Sequence, residues 1–176
     1  MGLIDFAKSV GRKLGIGDDD DDKKPQPGAK PQGAPAAAPT AQQVQEAKDR
    51  RRAAAIVKLI NDMGLKVDEL GVRADGDKVT LTGTVASQAD REKIVLLVGN
   101  TEGTGSVDDQ LKVEKPEPEA QYYEVKSGDS LSKIAKHFYG DANKYPVIFE
   151  ANKPMLKDPD EIYPGQKLRI PPQPNA

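Results

Sequence analysis

The chain has 176 residues, 36% hydrophobic and 31% charged, with no Trp and only three Phe, so its cores must be small and aliphatic; 14 Pro and 16 Gly, unevenly placed, favour two modules over one. Twenty-six basic residues against 28 acidic ones leave a net charge of -2, which gives no chain-wide field for nucleic acid or an anionic membrane. The absence of cysteine excludes disulfides, thiolate catalysis and cysteine-ligated zinc, and it accords with a reducing compartment.

Leu3, Phe6, Ala7, Val10 and Leu14 recur at helical spacing, and Gly15 and Gly17 follow as stop signals, so a short amphipathic helix is expected over residues 1–17. Asp5, Lys8, Arg12 and Lys13 interrupt any apolar run there, which argues against a secretory signal and points to a cytoplasmic protein. No stretch approaches the roughly 18 to 20 apolar residues of a membrane span. Residues 18–43, with Asp18 to Asp22 followed by Pro25, Pro27, Pro31, Pro35 and Pro39, read as a disordered linker. The Asp run does not make a calcium loop, because Lys23 and Ala29 stand where one starting at Asp18 needs Gly and Glu.

A helix is expected from near Gln42, with Ile56, Leu59, Ile60 and Met63 on one face and Gly64 as its stop. Its basic stretch, Lys48 to Arg52, lacks interleaved aromatic residues and reads as a solvated face rather than a nucleic-acid patch. Val72 and Ala74, then Val79 and Leu81, alternate with polar residues around Asp75-Gly76-Asp77, the signature of a β-hairpin. Ser87 and Asp90 start a second helix whose buried face is Ile94, Val95, Leu97 and Val98, ending at Gly99-Asn100. Val107, Leu111 and Val113 mark a further strand. The order over 44–114 is αββαβ, and with turns at Thr82-Gly83-Thr84 and Gly103-Thr104-Gly105 it resembles a BON domain.

Lys115 to Glu119 open a stiff charged linker, residues 115–121. In the second module Tyr122 to Lys126 read as a strand; Leu131, Ile134, Ala135 and Phe138 line a helix stopped by Gly140; Pro146 fits only the first turn of a second helix; and Leu168-Arg169-Ile170 form the closing strand. Residues 122–171, with YEVKSGDSLSKIAKHFYGD and IFEANKPMLKDPDEIYPGQKLRIP, resemble a LysM domain, and 172–176 form a tail. The fold class is therefore α+β, two small domains of αββαβ and βααβ order. The LysM resemblance implies a groove for N-acetylglucosamine-containing glycans, with Gly128, Asp129, Ser130 and Leu131 on one side and Asn152, Pro154, Met155 and Ile162 on the other. The same positions also serve a LysM fold as turn, cap and core.

The two modules together, preceded by Met1-Gly2-Leu3 and carrying the phrases Val98-Gly99-Asn100 to Gln110 and Phe149 to Pro171, resemble a family of bacterial cytoplasmic potassium-binding proteins. The Asp/Pro/Ala linker departs from that pattern. A weakly hydrated monovalent cation suits a cage of neutral backbone carbonyls, so no carboxylate motif is required. Carried over by the resemblance, the K+ ligands are carbonyls of Ala7 and Val10 in the first segment and of Gly99, Thr101 and Thr104 after the BON helix. The implied protein is a monomeric ion sensor, with a glycan or protein partner through LysM as the rival. Catalysis finds no support: the single histidine, His137, lies at the edge of an apolar helix face, and no phosphate-loop or dinucleotide pattern occurs.

Overall fold

The computed structural model describes residues 2–6 and 38–173. The first described segment is not helical. Gly2–Asp5 form β1, which pairs antiparallel with Ser106–Lys115, β4. The helix expected over 1–17 is thus corrected at its start, where the open edge of β4 supplies backbone partners that local helical periodicity could not anticipate. The rest of that expected helix, including Ala7 and Val10, lies outside the described residues, as does most of the expected linker.

Helix α1, Ala41–Asp62, begins next to the expected start near Gln42, where Thr40 and Gln43 build a reciprocal capping box, Thr40 N–H donating to Gln43 Oε1 (2.9 Å) and Gln43 N–H to Thr40 Oγ1 (3.3 Å). Strands β2, Asp68–Asp75, and β3, Lys78–Ser87, form the expected hairpin, with Gly76 at φ 59 in its turn. Ser87 caps α2, Gln88–Gly99, by accepting from Asp90 N–H (3.1 Å). The four-stranded sheet has the order β1-β4-β3-β2, with β3 and β4 parallel across the α2 crossover. Val79, Leu81 and Val85 of β3 and Val107 and Leu111 of β4 point into the core with Ile56 and Ile60 of α1, while Thr82, Gln110 and Lys112 are exposed on the other face.

The second module pairs β5, Gln121–Glu124, antiparallel with β6, Lys167–Ile170. Between them lie α3, Leu131–Tyr139, a short 3-10 turn at Ala142–Lys144, and α4, Tyr145–Ala151, with Pro146 in its first turn. Ser130 caps α3, and Gly140, at φ 74, ends it.

The modules are packed together through α2. Residues Ile94 to Gly99 are all buried, six in succession, because the sheet covers one side of the helix and the second module covers the other. No helix among the described residues is long and apolar enough to cross a membrane.

Candidate functional site

The loop that leaves α2 lies where three parts of the chain converge. Asn100 caps the helix, its N–H bonded to Leu96 O (2.9 Å), and Thr101 Oγ1 donates to Leu97 O (2.9 Å). Thr104 N–H then turns back to Thr101 O (3.1 Å), with Gly103 at φ 79 making the bend. Among the described residues the carbonyls of Gly99, Asn100, Gly103 and Thr104 accept no backbone hydrogen bond. These acceptors cluster at the negative end of the helix dipole, a setting that favours a cation.

The N-terminal segment closes onto this loop. Phe6 N–H donates to Gly105 O (2.8 Å), and the Phe6 ring, 8% exposed, rests directly on Gly99, where a Cβ would lie 2.1 Å from its Cζ. Gly99 is therefore a seat for an aromatic ring as well as the last residue of α2. From the second module, Lys167 Nζ stands 5.3 Å from the centroid of the same ring. From α1, Arg52 reaches across to Gly76 O (2.6 Å) and Thr104 Oγ1 (2.7 Å).

The contact between modules is polar and buried at its centre. Glu92 of α2 and Arg169 of β6 form an ion pair, their side chains only 3% and 10% exposed. Glu92 Oε1 also accepts from Gln88 Nε2 (2.9 Å) and Ala120 N–H (2.8 Å), so the carboxylate is well satisfied. Beside it the Tyr122 hydroxyl is pushed well above the usual tyrosine range by burial, with the nearby Glu92 and Asp109 charges acting in the same direction. Two asparagine amides hold β6 along one edge. Asn100 Nδ2 donates to Lys167 O (3.0 Å) while its Oδ1 accepts from Lys167 N–H (3.2 Å); Asn152 does the same to Arg169, at 2.8 and 2.7 Å.

The structure thus gathers Gly99, Thr101 and Thr104 into one loop. Ala7 and Val10 lie outside the described residues. The eight residues expected to flank a glycan groove are held differently from one another. Gly128 is exposed, Asp129 is half-buried, and Ser130 caps α3. Leu131 is 2% exposed in the core, and Ile162 packs half-buried against it. Asn152 is wholly engaged with backbone groups, its Nδ2 also donating to Ile148 O (2.7 Å). Pro154 and Met155 face Leu65, Lys93, Leu96 and Leu97 across a crevice of only ≈ 10 Å³, about the minimum that one water molecule needs. Met155 Sδ accepts from Asn100 Nδ2 (3.1 Å).

Sequence reasoning did not single out Phe6 as a ring seated on Gly99, nor Arg52, Asn100, Glu92 and Arg169. Two signals pointed to some of them. Arg52 precedes Ile56 and Ile60 at four-residue intervals, which places it on the inward stripe, and the unbroken apolar run in α2 marks a helix covered on both sides. Among the described residues no three His, Asp or Glu side chains are grouped to hold a metal ion.

Comparison with known proteins gives a BON domain over residues 48–115 and a LysM domain over 123–171. The chain is 43% identical over 177 residues to the potassium binding protein Kbp of Escherichia coli O6:H1, an alignment that covers 97% of this chain and 99% of that one. A relative from Deinococcus radiodurans, named only as an uncharacterized protein, is 37% identical over 133 residues, covering 69% of this chain and 52% of its own. The esterase Rv1288 of Mycobacterium tuberculosis is 45% identical over 53 residues, but these make up 11% of its length.

Proposed function

The chain belongs to the BON–LysM family of the potassium binding protein Kbp, and from that premise we propose that it binds K+ in the cytoplasm as an ion sensor rather than acting as an enzyme. The observation that carries this reading is the Gly99–Thr104 loop, where several carbonyls at a helix C-terminus accept no backbone hydrogen bond among the described residues, flanked by the N-terminal segment and by LysM. Carbonyls of Gly99, Thr101 and Thr104 supply one side of the cage, and those of Ala7 and Val10 complete it from the segment that Phe6 anchors. Thr101 O, which accepts from Thr104 N–H, joins through its second lone pair.

Neutral carbonyl dipoles suit K+, whose hydration shell is loosely held, better than they suit the more strongly hydrated Na+. Closing the cage orders the N-terminal segment, and tethering offsets part of that entropy at an effective concentration of roughly millimolar. The change reaches LysM because Asn100, one residue beyond Gly99, grips the β6 backbone. An NMR titration of the full chain with KCl and NaCl tests the reading. Shifts at Phe6, Gly99–Thr104 and Lys167 that appear with KCl alone are expected; no response to either salt would refute it.

The LysM domain favours a second reading, a glycan-binding adaptor. It is the weaker one, because Asn152 is committed to Arg169 and Met155 is covered by the BON module. Failure of N-acetylglucosamine oligomers to shift Gly128 to Leu131 resonances would remove it.

A further inference from the structure

Arg52 ends a run, Lys48 to Arg52, whose composition suggests plain solvated surface, but its place on α1 sets it apart. It lies four and eight residues before Ile56 and Ile60, the residues that α1 buries in the core. From there its guanidinium joins two segments distant in sequence. One nitrogen donates to Gly76 O at the hairpin turn (2.6 Å) and the other to Thr104 Oγ1 in the loop after α2 (2.7 Å). Gly103 lies against the same group, since a Cβ there would be 3.6 Å from the guanidinium Cζ. Thr104 is fully buried and Arg52 half-buried, so this charge-assisted bond is partly shielded from competing water. The next turn of chain is also tied to the hairpin, Gly105 N–H and Ser106 N–H both donating to Asp77 O (2.8 and 3.2 Å).

We propose that Arg52 is a specificity-determining positioning residue of the ion site, a tethered cation that fixes the loop from Thr101 to Thr104 without itself touching the ion. The inference rests on the potassium reading above. A ring of carbonyls discriminates against the smaller Na+ only where it resists contraction around it. The planar guanidinium resists that contraction by holding Thr104 at a set distance from the hairpin turn, and it does so through two bonds in fixed relative orientation. Lysine cannot replace it. An ammonium group retains the charge but is a single point donor on a flexible stem, so the loop would gain freedom while the electrostatics stayed nearly constant.

The test is calorimetric titration of the full chain with KCl and with NaCl, for the wild type, Arg52→Lys, Thr104→Val and the double variant, with the ion-free melting temperature measured alongside. Arg52→Lys and Thr104→Val are each expected to lower the K+/Na+ affinity ratio by about tenfold, the low end for a hydrogen bond to a charged group. The double variant should fall no further, because both changes remove the same bond. A general loss of stability would weaken both ions alike and leave the ratio intact. Unchanged ratios in both single variants, with K+ binding preserved, would overturn the role of Arg52 alone. A wild-type chain that binds no K+ would overturn the potassium reading and this inference with it. If Arg52→Lys does not fold, Thr104→Val decides the matter, since it keeps the backbone carbonyl and the side-chain shape.

Discussion

The loops that follow α2 and α4 begin alike and end differently. Each starts at an asparagine that caps a helix and uses its side-chain amide to hold the β6 backbone, Asn100 at Lys167 and Asn152 at Arg169. Beyond Asn152 the chain turns inward: Leu156 N–H bonds Asn152 O (2.9 Å), and Met155 and Leu156 are buried. Beyond Asn100 it leaves several carbonyls without backbone donors among the described residues. The same cap therefore yields a packed structural loop in one module and a set of available acceptors in the other. Binding capacity here follows from which polar groups remain unengaged rather than from which module is easier to recognise.

The largest effect expected on this comparison comes from the ion pair that holds the modules together. Removing one partner leaves a buried charge uncompensated, so Glu92→Gln or Arg169→Met should each cost about 3–5 kcal/mol in denaturant unfolding. Replacing both with Leu should cost clearly less. If the single variants lose no stability, Glu92 and Arg169 do not hold the modules in solution.

Gly99→Ala comes next. The new methyl group would overlap the Phe6 ring, which must leave its seat or shift the helix end, at a cost of about 1–3 kcal/mol. K+ affinity should fall with it. Phe6→Ala should give a similar loss, and the two changes together little more than either one, because each unseats the same ring. Additive losses in stability and in K+ affinity would show that Phe6 does not rest on Gly99. Asn100→Ala should cost less, about 1 kcal/mol, through two hydrogen bonds to β6. Its sharper readout is NMR: K+ should still shift the Gly99–Thr104 loop while the response at Lys167 disappears.

Much of this was legible in the sequence, and the gaps have physical causes. The hairpin, the Ser87 and Ser130 caps and the αββαβ and βααβ orders follow from turn chemistry and periodicity, which are local properties. The first residues misled because Leu3 and Phe6 fit a helical stripe, whereas the outcome depends on the free edge of a strand about 100 residues away; in β1, Leu3 points to solvent at 58% exposure and Ile4 packs inward. Arg52 was hidden by its basic neighbours, although its spacing to Ile56 and Ile60 marks it as inward. The contact between modules is long-range, and its one local trace is the six-residue buried run of α2. The candidate ligands are the least legible of all, since a carbonyl ligand leaves almost no side-chain signature.

The smallest expected effect tests whether the LysM loop at Gly128–Ser130 is structural. Asp129 is held below the usual carboxylate range chiefly by the Lys126 N–H (2.9 Å), opposed by slight burial and reinforced by the Tyr123 hydroxyl (2.8 Å). The bond to Asp129 raises the Tyr123 hydroxyl in turn. A carboxyl whose folded pKa is depressed binds protons more readily in the unfolded chain, so it stabilises the fold above the ordinary Asp pKa. That contribution is lost as pH falls from there through the lowered folded value. Because the side chain is only partly buried, the effect should be small and reduced by salt. Asp129→Asn should therefore flatten the acid limb of stability against pH, while the response of the Gly99–Thr104 loop to K+ at neutral pH stays as in the wild type. An Asp129 carboxyl that titrates by NMR at the ordinary value would break the hydrogen-bond account. A lost K+ response in Asp129→Asn would break the separation between the two loops, because nothing in the LysM turn is then independent of the ion site.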